Sequence, residues 1–430
     1  MKISIEKLFT LLIFLLFLPG CGARGVPRDI PYAFVLFEPI ELPSKEEVDY
    51  KERLEMLSSR WGNYIFYDAA GRILRRVQAP SGKLSPDGRK LFFTTPVDAK
   101  LRDLFTSNEK ILADNNALAG TGEIRSAFSP DMKYVFFETG EADFENGPVL
   151  REIVRYNLET GLESGKCRLI DLPALTPDQG ALVQEIWEHD PGGLAVSEDG
   201  RYAYTLAWNP AADSAAAFLS SVTSLETTLE NPLYEKYYSI CRMDFDNGTA
   251  TQLGAHTADT YLLPPLVYDD LTQTLFLVER IVLPEINSYK ILGANPEGST
   301  FDLMESEANI HLLGLGASKD RLAFFVLTKE SSGTAKKNYG VLDLKTGEPT
   351  FYFKLPMGIN EASFGPELEW AVYISPVEDA WNELNSYSPP QGPRPYLHLV
   401  TIPNAHDSIL FATDPPGKSL AGIVPLSALH

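Results

Sequence analysis

Six times along the chain a tight turn is followed directly by an apolar strand. The clearest copies are Leu84-Ser-Pro-Asp-Gly-Arg-Lys-Leu-Phe-Phe93, Phe128-Ser-Pro-Asp-Met-Lys-Tyr-Val-Phe-Phe137 and Val196-Ser-Glu-Asp-Gly-Arg-Tyr-Ala-Tyr204. Looser copies run over 267–276, 315–324 and 364–372. In such a turn proline presets φ, the Ser and Asp side chains bond nearby amides, and glycine accepts a left-handed conformation. The first apolar residues after the turns are Leu91, Val135, Ala203, Leu275, Leu322 and Ala371, at intervals of 44, 68, 72, 47 and 49 residues. Three intervals share one unit length, and the two longer ones predict insertions of about twenty residues each. The shared period suits a four-stranded propeller blade and is too long for leucine-rich or ankyrin repeats.

The second half of each unit agrees. The segments 155–161, 242–248 and 340–347 each read as a strand ending in an Asn-, Asp- or Gly-bearing hairpin turn, with another strand behind it. A Ser-Pro-Asp-Gly turn, a strand, and then a Tyr-x-x-Asp-x-x-x-Gly-like hairpin resembles the WD40-like (PD40) repeat of TolB-type β-propellers. The resemblance covers residues 31–426 and is strongest at Ser85, Ser129 and Ser197. It implies a fold and a compartment but no activity, and the N-terminal α/β domain of TolB has no counterpart here.

Six units leave residues 31–78 to be placed. They supply three strands without an innermost partner, and Ala421-Gly-Ile-Val-Pro-Leu426 can provide it. Open sheet edges invite aggregation, and closing the ring removes them. The expectation is therefore an all-β, seven-bladed propeller over 31–430, closed by N- and C-terminal strands in one blade; six or eight blades are the alternatives. Helical insertions are expected at about 45–59, opened by the Ser44-Lys-Glu-Glu47 capping box, and at 213–230, where apolar residues recur at helical spacing. The second helix packs on the rim, docks a partner or covers the tunnel mouth. Residues 171–192 and 376–395 read as loops, the latter with Trp381 and Tyr387 beside a proline run.

Residues 1–20 read as an address. Lys2 and Lys7 precede an apolar run from Leu8 to Leu18. As a helix that run covers roughly half a bilayer core, which suits a signal peptide rather than a membrane span. It ends in Leu18-Pro19-Gly20-Cys21, which resembles the lipobox of bacterial lipoproteins. The resemblance implies cleavage before Cys21 and lipidation of that residue; an ordinary cleaved signal is the plainer reading. Two or more acyl chains, at about 0.8 kcal/mol per buried methylene, hold a protein on a membrane stably. Residues 21–30 form a tether of at most about 30 Å; by resemblance to Gram-negative sorting, Gly22 rather than Asp after the cysteine implies the outer membrane, facing the periplasm, with a Gram-positive host as the alternative. Cleavage would move the net charge from −21 to −22, since two lysines and one glutamate leave. So acidic a surface repels phosphate backbones, and nucleic acid is not an expected partner.

Motifs for chemistry are scarce. The six histidines, at 189, 256, 311, 398, 406 and 430, show no zinc-like spacing. His311 and His398 fall in strands, where a packed role is expected. There is no Gly-x-Ser-x-Gly elbow, phosphate loop or Asp box, and the acidic turn starting at Asp244 has Ala255, not Glu, at its twelfth position. The acids at Asp269-Asp270 and the run Glu188-His189-Asp190 are candidate tunnel groups, with solvated loop charge as the default. No catalytic residue, metal or cofactor is assigned. Cys167 and Cys241, read as lying on the outer strands of consecutive blades, either bridge those blades or remain buried thiols. The function expected is a membrane-anchored binding module for an envelope protein, peptide or glycan. The alternative is a hydrolase or lyase acting on a small or glycan substrate in the central tunnel.

Overall fold

The computed structural model describes residues 30–40, 61–95, 98–114, 125–141, 150–169, 193–208, 236–258, 266–283, 286–329, 335–356, 362–375, 396–402, 405–413 and 418–429. Every described strand belongs to one of seven four-stranded antiparallel sheets. Blade 1 begins with β1 (Tyr32–Pro39), β2 (Trp61–Tyr67) and β3 (Ile73–Pro80). Blade 2 holds β4 (Lys83–Leu84), β5 (Lys90–Thr94), β6 (Ala99–Asp103) and β7 (Glu109–Ala113). Blade 3 holds β8 (Ser126–Phe128), β9 (Tyr134–Glu141), β10 (Leu150–Asn157) and β11 (Leu162–Arg168). Blade 4 holds β12 (Leu194–Val196), β13 (Tyr202–Trp208), β14 (Lys236–Asp244) and β15 (Thr249–Ala258). Blade 5 follows with β16 (Val267–Asp269), β17 (Thr274–Leu283), β18 (Ile286–Ala294) and β19 (Thr300–Ser306). Blade 6 is β20 (Ile310–Leu315), β21 (Arg321–Lys329), β22 (Ala335–Asp343) and β23 (Pro349–Pro356). Blade 7 is β24 (Ser363–Phe364), β25 (Trp370–Ser375), β26 (Tyr396–Thr401) and β27 (His406–Ala412). The protein is a seven-bladed β-propeller, as the repeat arithmetic predicts.

Closure follows the expected route. β28 (Ser419–Pro425) pairs antiparallel with β1, from Tyr32 opposite Pro425 to Phe37 opposite Ser419, and completes the sheet order β28-β1-β2-β3. β28 contacts both β24 and β4, the inner strands of the blades on either side. Val424 is 1% exposed in the apolar cluster shared by blades 1 and 2. The fully buried Lys418 ammonium stands 3.8 Å from Glu38 on β1.

The six expected anchor residues all lie on second strands, and the reason is visible in the packing. Each interface between neighbouring blades has its own apolar cluster, so a second strand is buried on both faces. Along β9, Val135 and Phe137 pack toward blade 2 while Phe136 packs toward blade 4. Burying each such side chain contributes about 1.5–3 kcal/mol. Strands covered on both sides read as continuous apolar runs rather than as alternation.

The Ser-x-Asp turns are built alike. Ser85 Oγ donates to Asp87 Oδ1 at 2.6 Å and accepts from the Lys90 amide at 2.8 Å, and Asp87 Oδ1 accepts from the Arg89 amide at 3.0 Å. Ser129 with Asp131, and Ser197 with Asp199, repeat the pattern. Each of the six turns also holds a left-handed residue, at Gly88, Met132, Gly200, Gln273, Lys319 and Leu368, with φ between 54° and 71°. Four of those are not glycine, so the later turns keep the conformation after losing the residue that adopts it freely.

Antiparallel order sorts the connections. Turns joining the first to the second strand of a blade, and the third to the fourth, lie on one face. The five longest connections, 40–60, 114–125, 169–193, 209–235 and 376–395, all join strand ends at the opposite face. The insertions of the 68- and 72-residue intervals, 169–193 and 209–235, are among them. The expected helices at 45–59 and 213–230, the signal peptide at 1–20 and tether residues 21–29 lie outside the described residues; Ile30, expected to end the tether, is buried in the cluster between blades 7 and 1.

Two outcomes check this architecture. Replacing Val424 with Asp places an unpaired charge in a buried interface and lowers unfolding stability by about 3–5 kcal/mol, while Ser427→Asp, exposed beyond β28, leaves the melting midpoint unchanged. Gln273→Gly relieves a left-handed side chain that is exposed and raises stability by about 1 kcal/mol in denaturant titration. Gly200→Ala has the opposite sign, because its new Cβ meets the Tyr134 ring.

Candidate functional site

A connected chain of polar side chains crosses blade 7. Tyr373 and Ser375, two residues apart on β25, share one face of the sheet with His398 on β26, which is paired with Tyr373 in register. Asp407 on β27 is opposite Val400 on that same face. His398 Nδ1 lies 3.0 Å from Asp407 Oδ1, and His398 Nε2 lies 3.1 Å from Ser375 Oγ. Tyr373 donates its hydroxyl to Asp407 Oδ2 at 2.8 Å, and its ring stacks on the imidazole with centroids 4.7 Å apart. The cluster stands at the interface with blade 6, where Tyr373 packs with Phe325, Tyr339 and Leu355.

Burial alone would raise the Asp407 carboxyl, but the hydrogen bonds from His398 and Tyr373 outweigh it and hold the group below the usual carboxylate range. Burial, with the acceptor it donates to, pushes the Tyr373 hydroxyl up, so it stays protonated as a donor. Hydroxyl, imidazole and carboxylate in this order are the parts of a nucleophile, its base and the group that orients the base. The far side of Ser375 does not continue that pattern. Its other neighbour is an acceptor, the Tyr396 carbonyl at 3.5 Å, where acyl transfer needs donors to hold a developing oxyanion. The one hydroxyl proton is therefore divided between the imidazole and that carbonyl. The arrangement orders the outer half of blade 7 and leaves a half-made relay.

The groups singled out in the sequence are dispersed. Asp269 is fully buried and caps its own turn, accepting from the Leu271 amide at 3.0 Å and the Thr272 hydroxyl at 2.6 Å. Asp270 accepts from the Glu198 amide at 2.7 Å and ties the turns of blades 4 and 5 together; burial raises its carboxyl above the usual range. Both acids belong to the tight-turn face rather than to the tunnel. His311 is buried and stacked on Phe325 at 4.5 Å. Near the axis the buried pair Arg125–Glu138, 3.1 Å apart, holds blade 3 to blade 4 through the Leu206 carbonyl, which accepts from Arg125 at 3.1 Å. Lys83 on β4 donates to the Ser126 carbonyl of β8 at 2.5 Å, and burial lowers its ammonium from the ordinary value. Among the described residues no three His, Cys, Asp or Glu side chains gather into a metal site. Cys21 and the run Glu188-His189-Asp190 lie outside the described residues.

Cys167 lies on the outer strand β11 as expected, whereas Cys241 lies on β14, the third strand of its blade, not an outer one. The two are buried in the same interface cluster, and no disulfide joins them. Each sulfur faces backbone carbonyls: Cys167 that of Asp244 at 3.5 Å, Cys241 that of Leu169 at 3.9 Å. Burial pushes the Cys167 thiol up to about 12, far from the thiolate that exchange chemistry needs.

Removal of the Asp407 carboxylate tests the role of the blade 7 chain. Asp407→Asn costs about 1 kcal/mol at pH 7, since the group is half exposed. That difference is present above the ordinary carboxylate value and fades as pH falls through the depressed one. Ser375 stays unlabelled by a fluorophosphonate probe; labelling that disappears in His398→Ala would instead mark a working nucleophile.

No family model matches the chain, and no curated protein matches it. Solved structures do resemble it. TolB from Acinetobacter baumannii aligns at 13% identity over 81% of this chain and 75% of its own, with a TM-score of 0.40. An oligogalacturonate lyase in complex with manganese aligns at 13% identity over 83% and 85%, with a TM-score of 0.49. The β-propeller domain of the Trilobed protease from Pyrococcus furiosus aligns at 11% identity over 90% and 97%, with a TM-score of 0.48. These are likenesses of strand arrangement and carry nothing about ligand, metal or reaction. The fold assignment rests on the seven sheets themselves and their closure by β28.

Proposed function

We infer that the protein is a lipid-anchored envelope protein whose propeller is a binding module for an envelope protein, peptide or glycan. One observation carries this reading: the chain enters β1 at the tight-turn face, and all five of the longest connections leave from the other. A lipid on Cys21 with a tether of at most about 30 Å would draw the tight-turn face toward the bilayer. The long connections would then point away from the membrane, where a rigid scaffold presents recognition loops. The acid-rich sequence and the lipobox-like Leu18-Pro19-Gly20-Cys21 support the same placement.

Two measurements test it together. Cys21→Ala moves the protein from the membrane pellet to the soluble fraction, and continued sedimentation with membranes would refute the anchor. A photo-crosslinking residue at Glu307, exposed on the long-connection face, captures a discrete adduct in intact cells. The same residue at Leu271, 78% exposed on the tight-turn face, captures none. Adducts from Leu271 alone would reverse the assignment of faces.

A further inference from the structure

The outer rim between blades 1 and 2 carries a cavity of about 350 Å³ whose lining is out of character with the rest of the molecule. Acidic side chains outnumber basic ones by 58 to 37 along the chain. The cavity lining nevertheless includes Arg75, Arg76 and Arg102 and no carboxylate. Its position follows from strand alternation. Val77 and Ala79 on β3 face blade 2, inside the apolar cluster that also takes Leu104 from blade 2. Arg75, two residues before Val77, and Arg102, two before Leu104, fall on those same inward faces, where the apolar contact ends. The two side chains thus line one cavity from opposite blades.

Both are held by aromatic rings. The Arg75 guanidinium lies 3.9 Å from the centroid of the Phe105 ring and donates one bond to the Phe105 carbonyl at 3.1 Å. Arg102 sits over Trp61 at 5.6 Å. Stacking fixes the plane of a guanidinium while leaving its edge donors free to choose a partner. One edge donor of Arg102 is unfilled: its Nε is buried and has no hydrogen-bond partner. The carboxylate that approaches it, Glu109, stands 3.7 Å from Nη1 and is shared with Lys100 at 3.4 Å. Ser107, on the cavity wall, adds a hydroxyl from a left-handed residue at φ 60°. Packing explains why the rings and guanidiniums touch, but it does not explain a buried donor left unpaired beside two more cations.

We propose that this rim cavity is a binding site for an oxyanion group, a carboxylate or phosphate on a small ligand, gripped by Arg102 and Arg75 from the two blades. The planar fork of arginine matches both anions with two parallel bonds. The apolar rings of Trp61 and Phe105 flank the place where the body of the ligand would lie. The site is independent of the membrane anchor and of the long-connection face.

Calorimetric titration of the full chain in chloride-free buffer, with inorganic phosphate in one arm and D-glucuronate in the other, tests the proposal. Saturable binding of either probe at one site is expected, and the arm that saturates tells phosphate from carboxylate. Arg102→Lys keeps the charge but loses the fork, and weakens that binding about tenfold. Arg75→Gln weakens it similarly, while Lys345→Gln, 75% exposed on blade 6, leaves it unchanged. Absence of saturation in both arms up to about 0.1 M overturns the site. So does saturation that survives unweakened in Arg102→Lys. Melting curves of each variant show whether it is folded; should Arg102→Lys not fold, Arg75→Gln and the wild-type titration decide.

Discussion

The antiparallel pairing of β28 with β1 is the contact on which the remaining structure depends. Each blade buries one face against the blade before it and the other against the blade after it, so a ring left open would expose two apolar faces. The seam joins the two ends of the chain in one sheet, where Phe34, Leu36, Leu420 and Ile423 pack toward blade 7 and Val35 and Val424 toward blade 2. Lys418 and Glu38, 3.8 Å apart with the ammonium fully buried, add a pair that is costly to break from either side. The backbone bond from the Leu426 amide to the Pro31 carbonyl, 2.9 Å long, ends the seam at the tight-turn face.

The turns show how a repeat persists as its sequence fades. In blades 2, 3 and 4 the serine and aspartate side chains satisfy the turn amides. The turns of blades 6 and 7 keep the backbone bond that those turns also make, from the Gly316 amide to the Arg321 carbonyl and from the Gly365 amide to the Trp370 carbonyl. Lys319 and Leu368 keep the left-handed backbone there at the cost of steric strain. Leu368 is also 2% exposed, and its side chain joins a small cluster with Ala323 and Val341 across the blade 6–7 interface. In blade 7 tertiary packing thus adds to the local backbone bond.

Much of this was legible in the sequence, for a physical reason. Second strands covered on both faces stand out as apolar runs such as Val135-Phe136-Phe137, and three strands without an inner partner at one end of the chain point to a fourth at the other. The seven blades and their closure follow from those two facts. The expectation of an outer strand for Cys241 fails because Cys241 directly precedes the 242–248 hairpin segment, which makes its strand the third of the blade. The blade 7 chain of Ser375, His398 and Asp407 and the cavity that Arg75 and Arg102 share were not legible. Each depends on register between strands or on contact between blades, and neither leaves a linear motif. For Arg75 a faint signal exists: it continues the alternation of Val77 and Ala79, a charged residue on a face otherwise buried.

Hydrogen exchange of the full chain, followed by mass spectrometry, addresses the closure most directly. If β28 is the inner strand of blade 1, its amides exchange as slowly as those of β1 and β5, through the same cooperative opening. Exchange of the 419–425 segment on the timescale of a frayed terminus, with β1 still protected, would contradict the closed ring.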